Sequence, residues 1–229
     1  MRLAFVTGTE PDKWFQRFRD NTEHGELMVI DSEDPVALLV DASIDLALAR
    51  VPRRGIDPRI DADLFHVVRL YTEQKGLAVP KDSVYAELGE AVVSSDVADE
   101  FLNYRMPNDA QIDYAAIRAG LQVVAANVGI VIAPRPVLKV LSKKQVAVVE
   151  YIDDSVTETE IVLAWNKDND TTEIQDFVGI TKGRTKNTSR GEKVKKSARE
   201  KPLAKQARRA GGNNPKRRTQ RSVSRRKRR

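Results

Sequence analysis

The chain has no cysteine and only two histidines. Without thiols it can form neither a disulfide framework nor a thiolate zinc site. His24 and His66 lie far apart, in turn-like and strand-like surroundings, with no metal-ligand spacing between them. Long apolar runs are also missing. The opening MRLAFVTGTEPDKW is too short and too polar for a secretory signal, and no stretch approaches the length of a membrane span. A cytoplasmic protein without membrane contact is expected. Enzyme signatures are absent as well. There is no H-E-x-x-H and no Walker A loop, and G-T-E-P-D-K lacks the later glycines of a dinucleotide fingerprint. Ser94 and Ser95 have no G-x-S-x-G context. The expectation is a non-enzyme with no catalytic residue, metal or cofactor.

Charge is present, but divided. Residues 182–229 hold 21 Lys or Arg against Glu192 and Glu200, while residues 1–181 hold 18 basic and 31 acidic groups and stand at −13. The basic segment has no aromatic residue and few large aliphatics, so it cannot bury enough surface to offset the entropy of ordering. A disordered basic C-terminal tail is expected. Its candidates for phosphate contact are Lys193, Lys195, Lys196, Arg208, Arg209, Lys216, Arg217, Arg218, Arg225, Arg226, Lys227, Arg228 and Arg229. Such contact would be salt-dependent and blind to sequence. A flexible solubilising tail, or one neutralised by the acidic body, is the competing reading.

The body is organised around Asp113–Pro134. Tyr114, Ile117, Leu121, Val124 and Ala125 recur at helical spacing. Asn127 and Gly129 tolerate left-handed backbone and suit a helix stop. Ile130–Ala133 is continuously apolar, as in a strand covered on both faces, and Pro134 ends it. Upstream, Leu3–Val6, Leu27–Ile30 and Ile44–Arg50 read as strands. Between them, Thr9 is placed to cap a helix from Glu10-Pro11, and Asp34-Pro35 opens a second. This alternation predicts an α/β fold with a parallel sheet. Phe65–Val79 is an extended run broken at Thr72-Glu73-Gln74. Ala91–Val93 followed by Ser94-Ser95-Asp96 predicts a strand and a helix start, and Val146–Tyr151, Ile161–Trp165 and Glu173–Ile180 predict two strands and a closing helix.

The segment GLQVVAANVGIVIAP resembles the apolar helix, glycine turn and "GI-x-x-x-P" strand of the effector-binding domain of LysR-type transcriptional regulators. RLAFVTGTEP, ASIDLALARVP and IVLAWNKD…EIQDFVGI agree with it in order and spacing. The resemblance covers residues 1–181. It implies a two-lobed domain like type 2 periplasmic binding proteins, with lobe I formed by 1–73 and 152–181 and lobe II by 74–151. A small-molecule effector would sit between the lobes, against Thr7, Gly8 and Thr9 at one helix start and Ser94 and Ser95 at the other. Arg50, Asn127 and Val128 would complete the ring. For the hydroxyl residues plain capping competes with this role; for Arg50 the alternative is a surface ion pair, and for Asn127 and Val128 a helix stop. The resemblance also implies a homodimer. Family members begin with a winged helix-turn-helix ahead of the residue matching Arg2, so a domain without its own DNA-reading head is expected. A general nucleic-acid-associated protein, with the acidic body as scaffold or dimerisation module, is the alternative function.

Overall fold

The computed structural model describes residues 1–184. Along the chain these form β1 (Arg2–Val6), α1 (Asp12–Asn21), β2 (Met28–Ser32), α2 (Pro35–Val40), β3 (Leu46–Pro52), β4 (Phe65–Thr72), β5 (Lys75–Val79) and α3 (Val84–Leu88). There follow β6 (Val92–Val93), β7 (Leu102–Arg105), α4 (Tyr114–Ala125), β8 (Ile130–Pro134), α5 (Arg135–Leu141), β9 (Ala147–Ile152), β10 (Thr159–Asn166) and α6 (Thr172–Thr181).

Two five-stranded sheets result, in the orders β2-β1-β3-β10-β4 and β6-β9-β5-β8-β7. The first is parallel through β2, β1 and β3, then antiparallel where β10 returns. The chain passes between sheets twice, at Thr72–Lys75 and at Ile152–Thr159. Period-two burial divides the first sheet between two cores. Leu3, Leu46, Leu48, Ile161 and Leu163 face α1 and α6, packing with Phe15, Phe18 and Phe177. Ala4, Ala47, Ala49 and Val162 turn the other way, against Val36 and Leu39 of α2. The former cluster continues into the second lobe through Tyr114, Ile117, Leu121, Val131 and Val137, so apolar packing joins the two sheets.

Several local expectations change in detail. Thr9 does not cap α1, whose N-cap is Pro11. The Thr9 hydroxyl instead donates to the Val6 carbonyl at 2.8 Å, tightening the turn after β1. β3 begins at Leu46 because Ser43 and Ile44 donate their N–H groups to the Leu38 carbonyl and finish α2. β2 is exposed along most of its length. On α4 the buried face is Tyr114, Ile117, Gly120, Leu121 and Val124; Ala125 is exposed, roughly 80° round the helix from the centre of that face. Ser94–Val97 is one 3-10 turn, not the start of an α-helix. Finally, the segment read as tail from Lys182 still belongs to the fold at its first residues. The N–H groups of Lys182, Gly183 and Arg184 donate to Val178, Ile180 and Gly179 and close α6. The remaining basic residues, including every phosphate-contact candidate from Lys193 to Arg229, lie outside the described residues.

Candidate functional site

Arg50 is the hub of the junction between the lobes. It sits near the end of β3 and its side chain is only 3% exposed. Its Nε donates to Glu73 Oε2 at 2.6 Å and its Nη2 to Glu73 Oε1 at 2.9 Å, a two-pronged pair. Nη1 donates to the Tyr114 hydroxyl at 2.8 Å, and both terminal nitrogens reach the Thr7 carbonyl at 3.2 Å. All five guanidinium N–H groups are thereby engaged. Glu73, in the first crossing between sheets, also accepts the Thr159 hydroxyl at 2.8 Å from the second crossing. One arginine therefore ties β1, both crossing strands and α4 together. Burial pushes its pKa down, but the Glu73 carboxylate outweighs that and the net direction is up. Burial raises the Tyr114 phenol, against the opposing pull of Arg50, so Tyr114 stays neutral.

The turn after β1 fits closely against this hub. Gly8 has φ +97°, and a Cβ there would stand 3.1 Å from the backbone of Val137 on α5 and 3.2 Å from Arg50 Nη2. Only a residue without a side chain lets the two lobes approach this closely. The Thr7 hydroxyl donates to Asp31 Oδ1 at 2.8 Å.

Beside the hub a groove of about 780 Å³ opens between the lobes. Arg50 and Tyr114 line it, together with Glu33, Asp34, Asp57 and Arg59 from the first lobe and Asp109 and Asp113 from the second. Arg59 donates to both Asp34 and Asp57, and this holds the two carboxyls below their usual range. Glu33 pairs with Arg118 of α4. Acidic groups outnumber basic ones on its walls, and both arginines are already paired.

No protein-family model matches the chain, and no curated protein does. Solved structures do match. The chain is similar to the effector-binding domain of BenM with its effector benzoate, at 15% identity and a TM-score of 0.59, over 80% of this chain and 90% of that one. It is similar to a reduced form of OxyR from N. meningitidis, at 16% identity and a TM-score of 0.56, over 79% and 92%. A LysR family transcriptional regulator described as putative, from Pseudomonas aeruginosa, matches at 15% and 0.58, over 79% and 70%. The chain has the fold of a LysR effector-binding domain.

Within this LysR-type fold the candidate residues do not form one ring. Thr7, Gly8, Thr9 and Arg50 lie together at the hub. The Thr7 and Thr9 hydroxyls donate to Asp31 and Val6, and Arg50 is buried in its pair with Glu73 and not at the surface. Ser94 and Ser95 are exposed on the turn after β6, an edge strand, and do not line the groove beside the hub. Asp96, not a serine, closes that turn by accepting the Val93 N–H at 3.2 Å. Asn127 and Val128 lie at the opposite end of β8 from the lobe junction. β8 meets the crossing through Pro134 opposite Lys75, whereas the Val128 carbonyl accepts from Asn103 of β7. Asn127 has φ 64° and Gly129 φ 66°, so this turn is a helix stop. The residues that sequence reasoning missed are Glu73, Tyr114 as a polar partner, and the groove carboxylates. The only trace of Glu73 was the polar break in an otherwise apolar extended run. Among the described residues no group of three or more His, Asp or Glu could hold a metal ion, and no helix is long and apolar enough to cross a membrane.

Proposed function

We propose that the chain is the sensing domain of a LysR-type transcriptional regulator and binds a small molecule in the groove between its lobes. The observation that carries this reading is the groove itself. It is built jointly by both lobes of a LysR-type fold, and its volume lies in the usual range for small-molecule sites. A ligand there would touch Tyr114 and the loop at Asp109 on one lobe and Asp34 and Asp57 on the other, so its binding would bias the relation between them. Asp109 and Asp113, which have no ion-pair partner among the described residues, favour an effector with an amine or several hydrogen-bond donors over a carboxylate.

A metabolite screen by thermal shift tests this, using Glu33→Gln and Asp109→Asn as site variants. A ligand that stabilises the protein and loses affinity in both supports the groove. Ligands whose binding ignores both changes place the effector elsewhere.

Two further parts of the reading concern partners. The chain pairs as a homodimer through β2, an edge strand whose Met28, Val29 and Ile30 are 57%, 39% and 43% exposed. Sedimentation of Val29→Lys checks this: a monomer is expected, and an unchanged dimer would move the interface away from β2. The basic residues beyond Arg184 make non-specific, salt-dependent contact with nucleic acid. Removal of residues 185–229 should abolish low-salt binding of random duplex DNA while leaving the melt of the body unchanged. Binding retained by the acidic body would refute the electrostatic argument.

A further inference from the structure

A second groove, of about 620 Å³, adjoins the acidic one, and Glu33 lines both. On its first-lobe side are Thr7, Asp31 and Ser32, and on its second-lobe side Arg118, Gln122 and Lys143. Glu33 belongs to the turn between β2 and α2, and Arg118 to α4. Their ion pair therefore runs from one lobe to the other where the two grooves meet. Every other ion pair among the described residues stays within one lobe or ends on a crossing strand.

The helix explains why the pair falls there. Tyr114 and Arg118 lie one turn apart on α4, about 5.4 Å along its axis, and project from the same side. Tyr114 accepts from Arg50 in the buried hub at 2.8 Å, while Arg118 meets Glu33 further out. The side chains of the outer pair are 46% and 47% exposed, those of Arg50 and Glu73 only 3% and 1%. The two contacts therefore behave differently. Opening the hub would leave a desolvated charge without its partner. The outer pair keeps most of its hydration when it parts, so its opening costs little. Exchange partners also stand in the second groove, Asp31 for Arg118 and Lys143 for Glu33. Neither has an ion pair of its own among the described residues.

An exposed ion pair shifts an equilibrium by up to about fivefold, enough to bias two lobe arrangements of similar energy and too little to fix one. We propose that Glu33 and Arg118 form a latch between the lobes, with the Arg50 hub as pivot and the outer pair as the part that opens. While the latch is closed, it divides the space between the lobes into two grooves. When it opens, the lobes turn slightly apart about the hub and the grooves become one cleft. The latch responds to ionic strength, because the Debye length falls from about 8 Å at 0.15 M salt to about 3 Å at 1 M. It is a property of the lobes themselves and requires no ligand in either groove.

The chain has no cysteine, so two introduced cysteines are the only sites a thiol label can take. Val40, at the end of α2, and Ala125, at the end of α4, are exposed, and neither lines the two grooves. Nitroxide labels on Val40→Cys/Ala125→Cys in the full chain report the inter-lobe distance distribution by double electron–electron resonance. A dominant short distance is expected in about 0.15 M salt. Arg118→Gln should raise the ratio of long to short distances by up to about fivefold. Salt at about 1 M should do the same to the intact latch and add little to Arg118→Gln. Exchanging the charges, in Glu33→Arg/Arg118→Glu, should restore the original distribution, which a mere change of side-chain packing would not. A distribution that either Arg118→Gln or salt leaves unmoved overturns the latch. A shift that the exchanged pair fails to reverse overturns charge attraction as its cause. No ligand is added, so neither result bears on whether the acidic groove binds an effector.

Discussion

Replacing Arg50 by Met removes the guanidinium and keeps an unbranched apolar chain of similar reach. Glu73, 1% exposed, would then hold a carboxylate whose remaining partner is the Thr159 hydroxyl. The Tyr114 hydroxyl and the Thr7 carbonyl lose their donors in the same step. Breaking a buried pair from one side costs about 3 to 5 kcal/mol, because the desolvated charge stays behind. That is a large part of the stability of an ordinary domain. Equilibrium unfolding in urea should therefore show the midpoint falling with little change in slope. One companion makes the reasoning specific. In Arg50→Met/Glu73→Leu no orphaned charge remains, and most of the loss should return. A loss in Arg50→Met below about 1 kcal/mol, or a double variant no better than the single, would mean that the hub is not a buried, coupled pair.

Other outcomes follow from the same structure. Gly8→Ala should lose about 1 to 3 kcal/mol in the same urea assay from backbone strain at φ +97°. At the turn before β8, Gly129→Val should cost about 3 kcal/mol or more, because a Cβ there would stand 2.0 Å from the Phe101 carbonyl oxygen. Asn127→Gly, also at positive φ, should stay within about 0.5 kcal/mol, and similar losses in the two would contradict the geometry. Asp34 and Asp57 have lowered folded pKa values, so their pairing with Arg59 contributes stability above the unfolded value of about 3.9 and loses it as pH falls through the folded values. Hydrogen exchange should show the Ala37 amide, which donates to Asp34, losing protection in acid before the central strands. Simultaneous loss would assign the clamp no local role.

What the sequence determined by itself was local. Helical spacing from Tyr114 to Val124, two residues able to take positive φ, and an unbroken apolar run are enough for helix, turn and strand, because each depends on neighbours within a few positions. The polar break at Thr72–Gln74 likewise marks where the chain leaves one sheet for the other. The alternation of strands and helices narrows the first sheet to a parallel arrangement with few choices.

Only the tertiary structure decided which of these residues meet. Arg50 finds Glu73 at a separation of 23 residues and Tyr114 at 64, and no spacing pattern along the chain reports such a partner. Asn127 and Val128 were legible as a turn, but the direction of β8 puts that turn at the end away from the junction. The two serines were legible as helix-start residues, yet the turn is a single one closed by Asp96 on an edge strand. Charge shows the limit most clearly. Composition gives residues 1–181 one acidic total, while folding gathers carboxylates on one side of the lobe junction and Lys13, Arg135 and Lys139 on the other. Net charge is a sum over the chain, but what a groove attracts depends on which charges stand within a few ångströms of one another, and packing alone sets that distance.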